Sequence, residues 1–69
     1  MKVSARNNLK GTIKSLTMGT VNTEVVVEVA PGVEVVSMIT KASAEAMELA
    51  EGKEIYAMVK ASNIMLAVD

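Results

Sequence analysis

The clearest pattern in the chain is an alternation of apolar and polar residues between positions 21 and 29. Valine occupies positions 21, 25, 27 and 29, and polar residues occupy most of the even positions between them. A period of two is typical of a strand with one buried face. Pro31-Gly32 then favours a tight turn, and a second β-branched run covers residues 33–40. Residues 21–40 are therefore predicted to form a β-hairpin.

The remaining pattern predicts three further strands and one helix. A weaker alternation indicates a strand over residues 9–16. Residues 41–50 are rich in alanine, glutamate, methionine and leucine, which favour a helix with Thr40 as its N-cap and Gly52 as its C-terminal stop. Residues 54–60 and 64–68 read as strands. The order β-β-β-α-β-β predicts a single domain over residues 1–69, mostly β: a small five-stranded OB-like barrel with one short helix between the third and fourth strands. A generic α+β sheet covered by one helix is the competing architecture.

The amino-acid composition limits the kinds of catalytic and metal site that the chain can form, and it also bears on whether the protein is an oligomer. The 69 residues include no cysteine and no histidine, and Tyr56 is the only aromatic residue. Disulfides, thiolate or imidazole metal sites and catalysis by cysteine or histidine are thereby excluded, so an enzyme is not expected. Small domains without such supports commonly depend on oligomerisation. The predicted fourth strand is apolar on both faces, since Tyr56 and Met58 alternate with other apolar residues. An oligomer is therefore expected.

Charge and hydropathy argue against two other kinds of partner. The net charge is −1, with a pI near 5.3. Nucleic-acid binding favours a basic face, and single-strand binding also favours stacking aromatic side chains. No apolar run approaches the roughly 20 residues of a membrane span, and the start lacks the apolar region of a signal peptide. We therefore expect no nucleic acid, no membrane and a cytoplasmic location.

Hydrogen-bond donors gather at the predicted ends of the elements. If Thr40 caps the helix, Ser43 stands where a capping box would have glutamate or glutamine. A carboxylate there would repel an anion, whereas a hydroxyl can donate to one, and a helix start favours negative charge. Ordinary capping is the simpler interpretation of this stretch taken alone. The complete set of donors at element ends is Ser4, Arg6, Asn7, Thr40, Ser43, Lys60 and Ser62.

Several of these residues lie in segments that match a known family. Four segments keep the order and spacing of that family's motifs. They are Ser4-Ala5-Arg6-Asn7 with the following Lys10-Gly11, Ile39-Thr40 with Ser43, Glu51-Gly52-Lys53, and Val59-Lys60-Ala61-Ser62-Asn63-Ile64-Met65. The chain resembles the Mop domain, whose free-standing members are called molbindins. The resemblance covers essentially the whole chain, and its motifs are specific in combination rather than singly.

The resemblance implies an OB-like domain that binds molybdate or tungstate at the subunit interfaces of a homohexamer built as a trimer of dimers, without a further cofactor or a directly ligated metal. It implies a role in the intracellular storage and homeostasis of molybdenum. Because the chain is expected to consist of this domain alone, storage is expected rather than the regulation of transcription. One subunit would contribute Ser4, Ala5, Arg6, Lys60, Ala61 and Ser62, and its partner Thr40 and Ser43.

The chemistry of the matched residues agrees with an oxyanion ligand. Molybdate near neutral pH is an unprotonated tetrahedral dianion, so its pocket needs hydrogen-bond donors and cations only. The matched set contains hydroxyls, backbone N–H groups and two cations, and no carboxylate. Two alternatives remain: a structural or protein-interaction oligomer without a small-molecule ligand, and an OB-type oligonucleotide binder. The single aromatic residue and the acidic pI argue against the second.

Overall fold

Four antiparallel strands and one short α-helix dominate the computed structural model, which describes residues 2–69. The strands lie in one sheet in the order β3-β2-β1-β4, and the sheet curls into a half-barrel. The prediction of a mostly β fold with one short helix between the third and fourth strands is confirmed. The elements are β1 (Asn7–Met18), β2 (Asn22–Ala30), β3 (Val33–Thr40), the helix α1 (Lys41–Ala46), β4 (Glu54–Val59) and a 3-10 turn (Ala61–Asn63).

The long strand β1 organises the sheet because it pairs with two neighbours. Its first half pairs with β4, from Asn7 opposite Val59, and its second half pairs with β2. The register with β2 shifts between Ile13 and Ser15, which places a β-bulge at this point. Gly11 permits the two strands to approach closely, since an added Cβ would lie 2.6 Å from the Glu28 carbonyl oxygen.

The apolar core lies on the concave face of the curled sheet. Ile13, Val25 and Val27 are fully buried there, as the alternation along β2 predicts. Partly buried apolar side chains from β1, β2, β3, β4 and the segment after α1 pack around these three residues: Leu16, Val29, Ile39, Leu49 and Ile55.

The helix is shorter than predicted, because it ends at Ala46 and not at Ala50. The Leu49 N–H donates to the Ala44 carbonyl and the Glu48 N–H donates to the Glu45 carbonyl, while Glu48 adopts a left-handed φ of 53°. These bonds form a Schellman motif, which reverses the chain at the helix end. Leu49 is thereby carried into the core, and this burial outweighs the helical propensity of the residues that follow. Gly52, with φ 86°, belongs to the turn before β4 and does not stop the helix.

The predicted fifth strand at residues 64–68 does not form within this chain. The C-terminal segment, residues 64–69, has no strand assignment, and its apolar side chains are strongly exposed: Met65 94%, Leu66 93% and Val68 97%. A strand requires a partner edge in addition to an apolar pattern, and this segment pairs with neither edge of its own sheet. The prediction of five strands within one chain was therefore wrong, and the half-barrel remains open between β3 and β4.

Candidate functional site

Two segments from opposite ends of the sequence meet at one end of the sheet. Asn7 begins β1 and Val59 ends β4, and the two residues are paired in the register. Residues 4–6 directly precede Asn7, and residues 60–62 directly follow Val59. This end of the sheet, called the β1/β4 end below, therefore gathers six of the eight predicted site residues: Ser4, Ala5, Arg6, Lys60, Ala61 and Ser62.

The β1/β4 end carries two exposed cations. Within residues 2–69, neither Arg6 nor Lys60 takes part in a salt bridge, and both side chains are exposed. Lys10 and Lys14 differ, because their ammonium groups pair with the carboxylates of Glu54 and Glu34 respectively. In each pair the hydrogen bond to the carboxylate, followed by its negative charge, raises the pKa of the lysine. Arg6 and Lys60 are thus available to an external anion in a way that Lys10 and Lys14 are not.

The connection after β4 adds backbone donors beside Lys60. A 3-10 turn begins at Ala61, where the Asn63 N–H donates to the Lys60 carbonyl at 2.8 Å. The first N–H groups of such a turn, here those of Ala61 and Ser62, have no partner inside the turn. Hydroxyl, ammonium, guanidinium and amide donors therefore lie together at this end.

Thr40 and Ser43 lie elsewhere in the chain, close to each other at the start of α1. The Ser43 N–H donates to Thr40 Oγ1 at 3.1 Å, which confirms Thr40 as the N-cap. Thr40 Oγ1 in turn donates to Ser43 Oγ at 2.8 Å. Thr40, at the end of β3, pairs with Asn22 of β2. The next residue of β2, Thr23, pairs with Met18, which is the last residue of β1. The length of β1 therefore separates these two hydroxyls from the β1/β4 end of the same chain.

An apolar groove, which sequence reasoning did not identify, lies between β3 and β4. It has a volume of about 680 Å³, and inward-facing residues of both strands line it, including Val35, Ile39, Ile55 and Val59, together with Leu49. The edge strands β3 and β4 face each other across this opening. The available signal was the apolar character of both faces of β3 and β4, which indicates a second burial surface. Within residues 2–69 no cluster of acidic side chains suits a metal ion, and no helix is long and apolar enough to cross a membrane.

Comparison with known proteins places this geometry in a family. The TOBE domain matches residues 3–66. Molybdenum-pterin-binding protein 2 of Clostridium pasteurianum is 42% identical over 66 residues, which cover 96% of this chain and 97% of that protein. The molybdenum transport protein ModE of Azotobacter vinelandii is 46% identical over 69 residues, and the chain spans 26% of its length.

Solved structures agree closely with the fold. A molybdate-binding protein from Sporomusa ovata superposes with a TM-score of 0.91 at 35% identity, with 99% of this chain and 100% of that one covered. The molybdate-bound form of ModG, described as a cytoplasmic molybdate-binding protein, gives a TM-score of 0.83 at 40% identity over 96% of this chain and 53% of its own. The chain therefore belongs to the TOBE domain family and, within it, to the Mop group of molybdenum-pterin-binding proteins.

Proposed function

We propose that this protein binds molybdate, and equally tungstate, as a cytoplasmic store that maintains the supply of molybdenum, and that it catalyses no reaction. The observation that carries the proposal is the meeting of residues 4–6 and 60–62 at the β1/β4 end. That end combines two exposed cations outside any salt bridge within residues 2–69 with hydroxyl and amide donors. The names of the relatives, which refer to molybdenum or molybdate binding, support the same ligand.

The donor-only set accounts for selectivity among tetrahedral anions. Molybdate and tungstate offer four acceptor oxygens and no proton, whereas phosphate near neutral pH carries one or two protons. A protonated oxygen facing only donors leaves a polar group unsatisfied, which costs about 1–3 kcal/mol, or roughly ten- to a hundredfold in affinity. Sulfate carries the right charge on a smaller tetrahedron, so its exclusion depends on the size of the pocket.

A complete site requires a second copy of the chain. Thr40 and Ser43 lie beyond the far end of β1 from Arg6 and Lys60, so one chain cannot bring both groups onto one small anion. We infer that the β1/β4 end of one subunit faces the α1 start of its partner. Two such sites form in each symmetric dimer, because an isologous contact occurs twice.

The C-terminal segment supports this assembly. Residues 64–68 are apolar and exposed, and the groove between β3 and β4 is open and apolar. Seating the segment of a second copy in the groove would supply the missing fifth strand and cover both sheet edges, and so close the OB-like barrel. Three such dimers would form the homohexamer that the family resemblance implies. A protein-interaction oligomer without a ligand would use the same groove, but it would not require exposed cations outside salt bridges at the β1/β4 end.

Titration calorimetry with molybdate, tungstate, sulfate and phosphate at pH 7 tests the proposal. Lys60→Ala is expected to weaken molybdate binding at least tenfold, because it removes a charge-assisted bond to the dianion. Lys14→Ala is the matched control, since Lys14 already pairs with Glu34. Equal affinity for phosphate and molybdate would refute the donor-only pocket, and a wild-type protein that binds none of the four anions would favour the purely structural oligomer.

A further inference from the structure

Two asparagines at the start of β1 donate to backbone carbonyls at the β1/β4 end. Asn7 Nδ2 donates to the Val59 carbonyl at 3.3 Å, and the Asn7 side chain is partly buried. Asn8 Nδ2 donates to the Ala5 carbonyl at 3.1 Å. Asn7 thus adds a side-chain bond to the β1–β4 register, whereas Asn8 turns the preceding segment back onto the start of β1.

Both bonds fix the peptide group that directly precedes a cationic site residue. A peptide group is planar and trans, so its carbonyl and its N–H point in opposite directions. The Val59 carbonyl shares its peptide plane with the Lys60 N–H, and the Ala5 carbonyl shares its plane with the Arg6 N–H. Holding each carbonyl from one side therefore directs the following N–H to the other side, and a carbonyl that accepts a bond also makes its N–H a stronger donor.

We propose that Asn7 and Asn8 are positioning residues for the oxyanion site: Asn7 orients the backbone of Lys60, and Asn8 orients that of Arg6. This inference rests on the proposed function and deepens it, because neither asparagine is expected to touch the anion. A dianion bound by a rigid set of donors needs no reordering of the chain on binding, and this preorganisation contributes to affinity.

The test replaces each asparagine by a residue that cannot donate. Asn7→Leu retains the approximate size of the side chain at a partly buried strand position, and Asn8→Ala truncates an exposed side chain. Each change is expected to weaken molybdate binding about tenfold in calorimetry. Asn63→Ala, which removes another asparagine side chain near the site, is the control and should retain wild-type affinity.

Urea unfolding separates positioning from general destabilisation. A positioning role predicts a loss of affinity in the fully folded variants, and the loss in Asn7→Leu should persist when Lys60 is already alanine, because alanine retains the backbone N–H that Asn7 orients. A merely structural role would lower the urea midpoint while the folded protein kept its wild-type affinity. Should Asn7→Leu fail to fold, Asn7→Ala provides the same test without a side-chain donor.

A ligand-free measurement distinguishes this inference from the proposed function. The amide proton shift of Lys60 should change in Asn7→Leu, and that of Arg6 should change in Asn8→Ala, with no molybdate present. A wild-type protein that binds no oxyanion would refute the proposed function even if these shifts move. Unaltered amide shifts, or wild-type molybdate affinity in both variants, would overturn the positioning role while leaving the proposed function intact.

Discussion

Sharing of the oxyanion site between two chains can be tested by mixing two inactive variants. Lys60→Ala removes the cation at the β1/β4 end. Ser43→Glu places a carboxylate beside the anion at the start of α1, yet it also creates a capping box with Thr40, so the helix should be retained. At about 5 Å, the new charge repels a dianion by roughly 2 kcal/mol at the dielectric of water and about 7 kcal/mol at an effective value of 20. Even the lower figure corresponds to a loss of affinity of roughly thirtyfold.

The expected signal follows from counting sites in the mixture. When the two variants are unfolded together and refolded, about half of the dimers contain one chain of each kind. In such a dimer, one site takes Lys60 from the Ser43→Glu chain and Ser43 from the Lys60→Ala chain, and it is intact. The other site carries both defects. Roughly a quarter of wild-type capacity should therefore return, if the sites act independently.

A second mixture provides the control. A chain carrying both substitutions is refolded with an equal amount of wild-type chain, so that only dimers of two wild-type chains have intact shared sites. Their capacity is again roughly a quarter, whereas sites contained within single chains would give about half. Equilibrium dialysis measures the capacity, and native mass spectrometry verifies the exchange of subunits. A first mixture as inactive as its parents, with exchange verified, would refute the shared site.

Three further predictions concern the fold and the assembly. Gly11→Ala should lower the free energy of unfolding by about 1–3 kcal/mol in urea, because its Cβ would lie 2.6 Å from the Glu28 carbonyl oxygen; an unchanged midpoint would contradict the close approach of β1 and β2. Glu48→Gly should raise the free energy of unfolding by about 0.5–1 kcal/mol, since glycine adopts the left-handed φ of this position without strain. The matched Glu45→Gly inside the helix should lower the free energy of unfolding by about 1 kcal/mol, and equal effects of the two substitutions would count against the Schellman motif. Leu66→Lys should reduce the mass measured by light scattering while the strand signal in circular dichroism persists. Leu66 is 93% exposed in the single chain, so lysine should disturb the proposed contact with a partner and not the fold of the chain itself. An unchanged mass would exclude the seating of this segment in the groove of a partner.

The sequence determined those features that depend on neighbouring residues alone. The alternation along residues 21–29 identified β2 and its buried face, and the predicted bounds of β3 at Val33 and Thr40 match the structure. Thr40 was recognisable as an N-cap because a cap needs only a side-chain oxygen three residues before the amide that it accepts from. The six residues of the β1/β4 end were also predicted from the sequence to share one site, but through motifs and not through any local rule.

Tertiary structure decided the features that depend on distant partners. The helix ends at Ala46 because Leu49 reaches a core that β1 and β2 supply. Residues 64–68 have the apolar pattern of a strand, but a strand forms only against a partner edge, and this segment pairs with neither edge of its own sheet. The β1–β4 register brings the segments of Arg6 and Lys60 to one end of the sheet, and the β1–β2 and β2–β3 registers place the start of α1 at the other end. Such pairings join residues far apart along the chain, so no local pattern of the sequence encodes them.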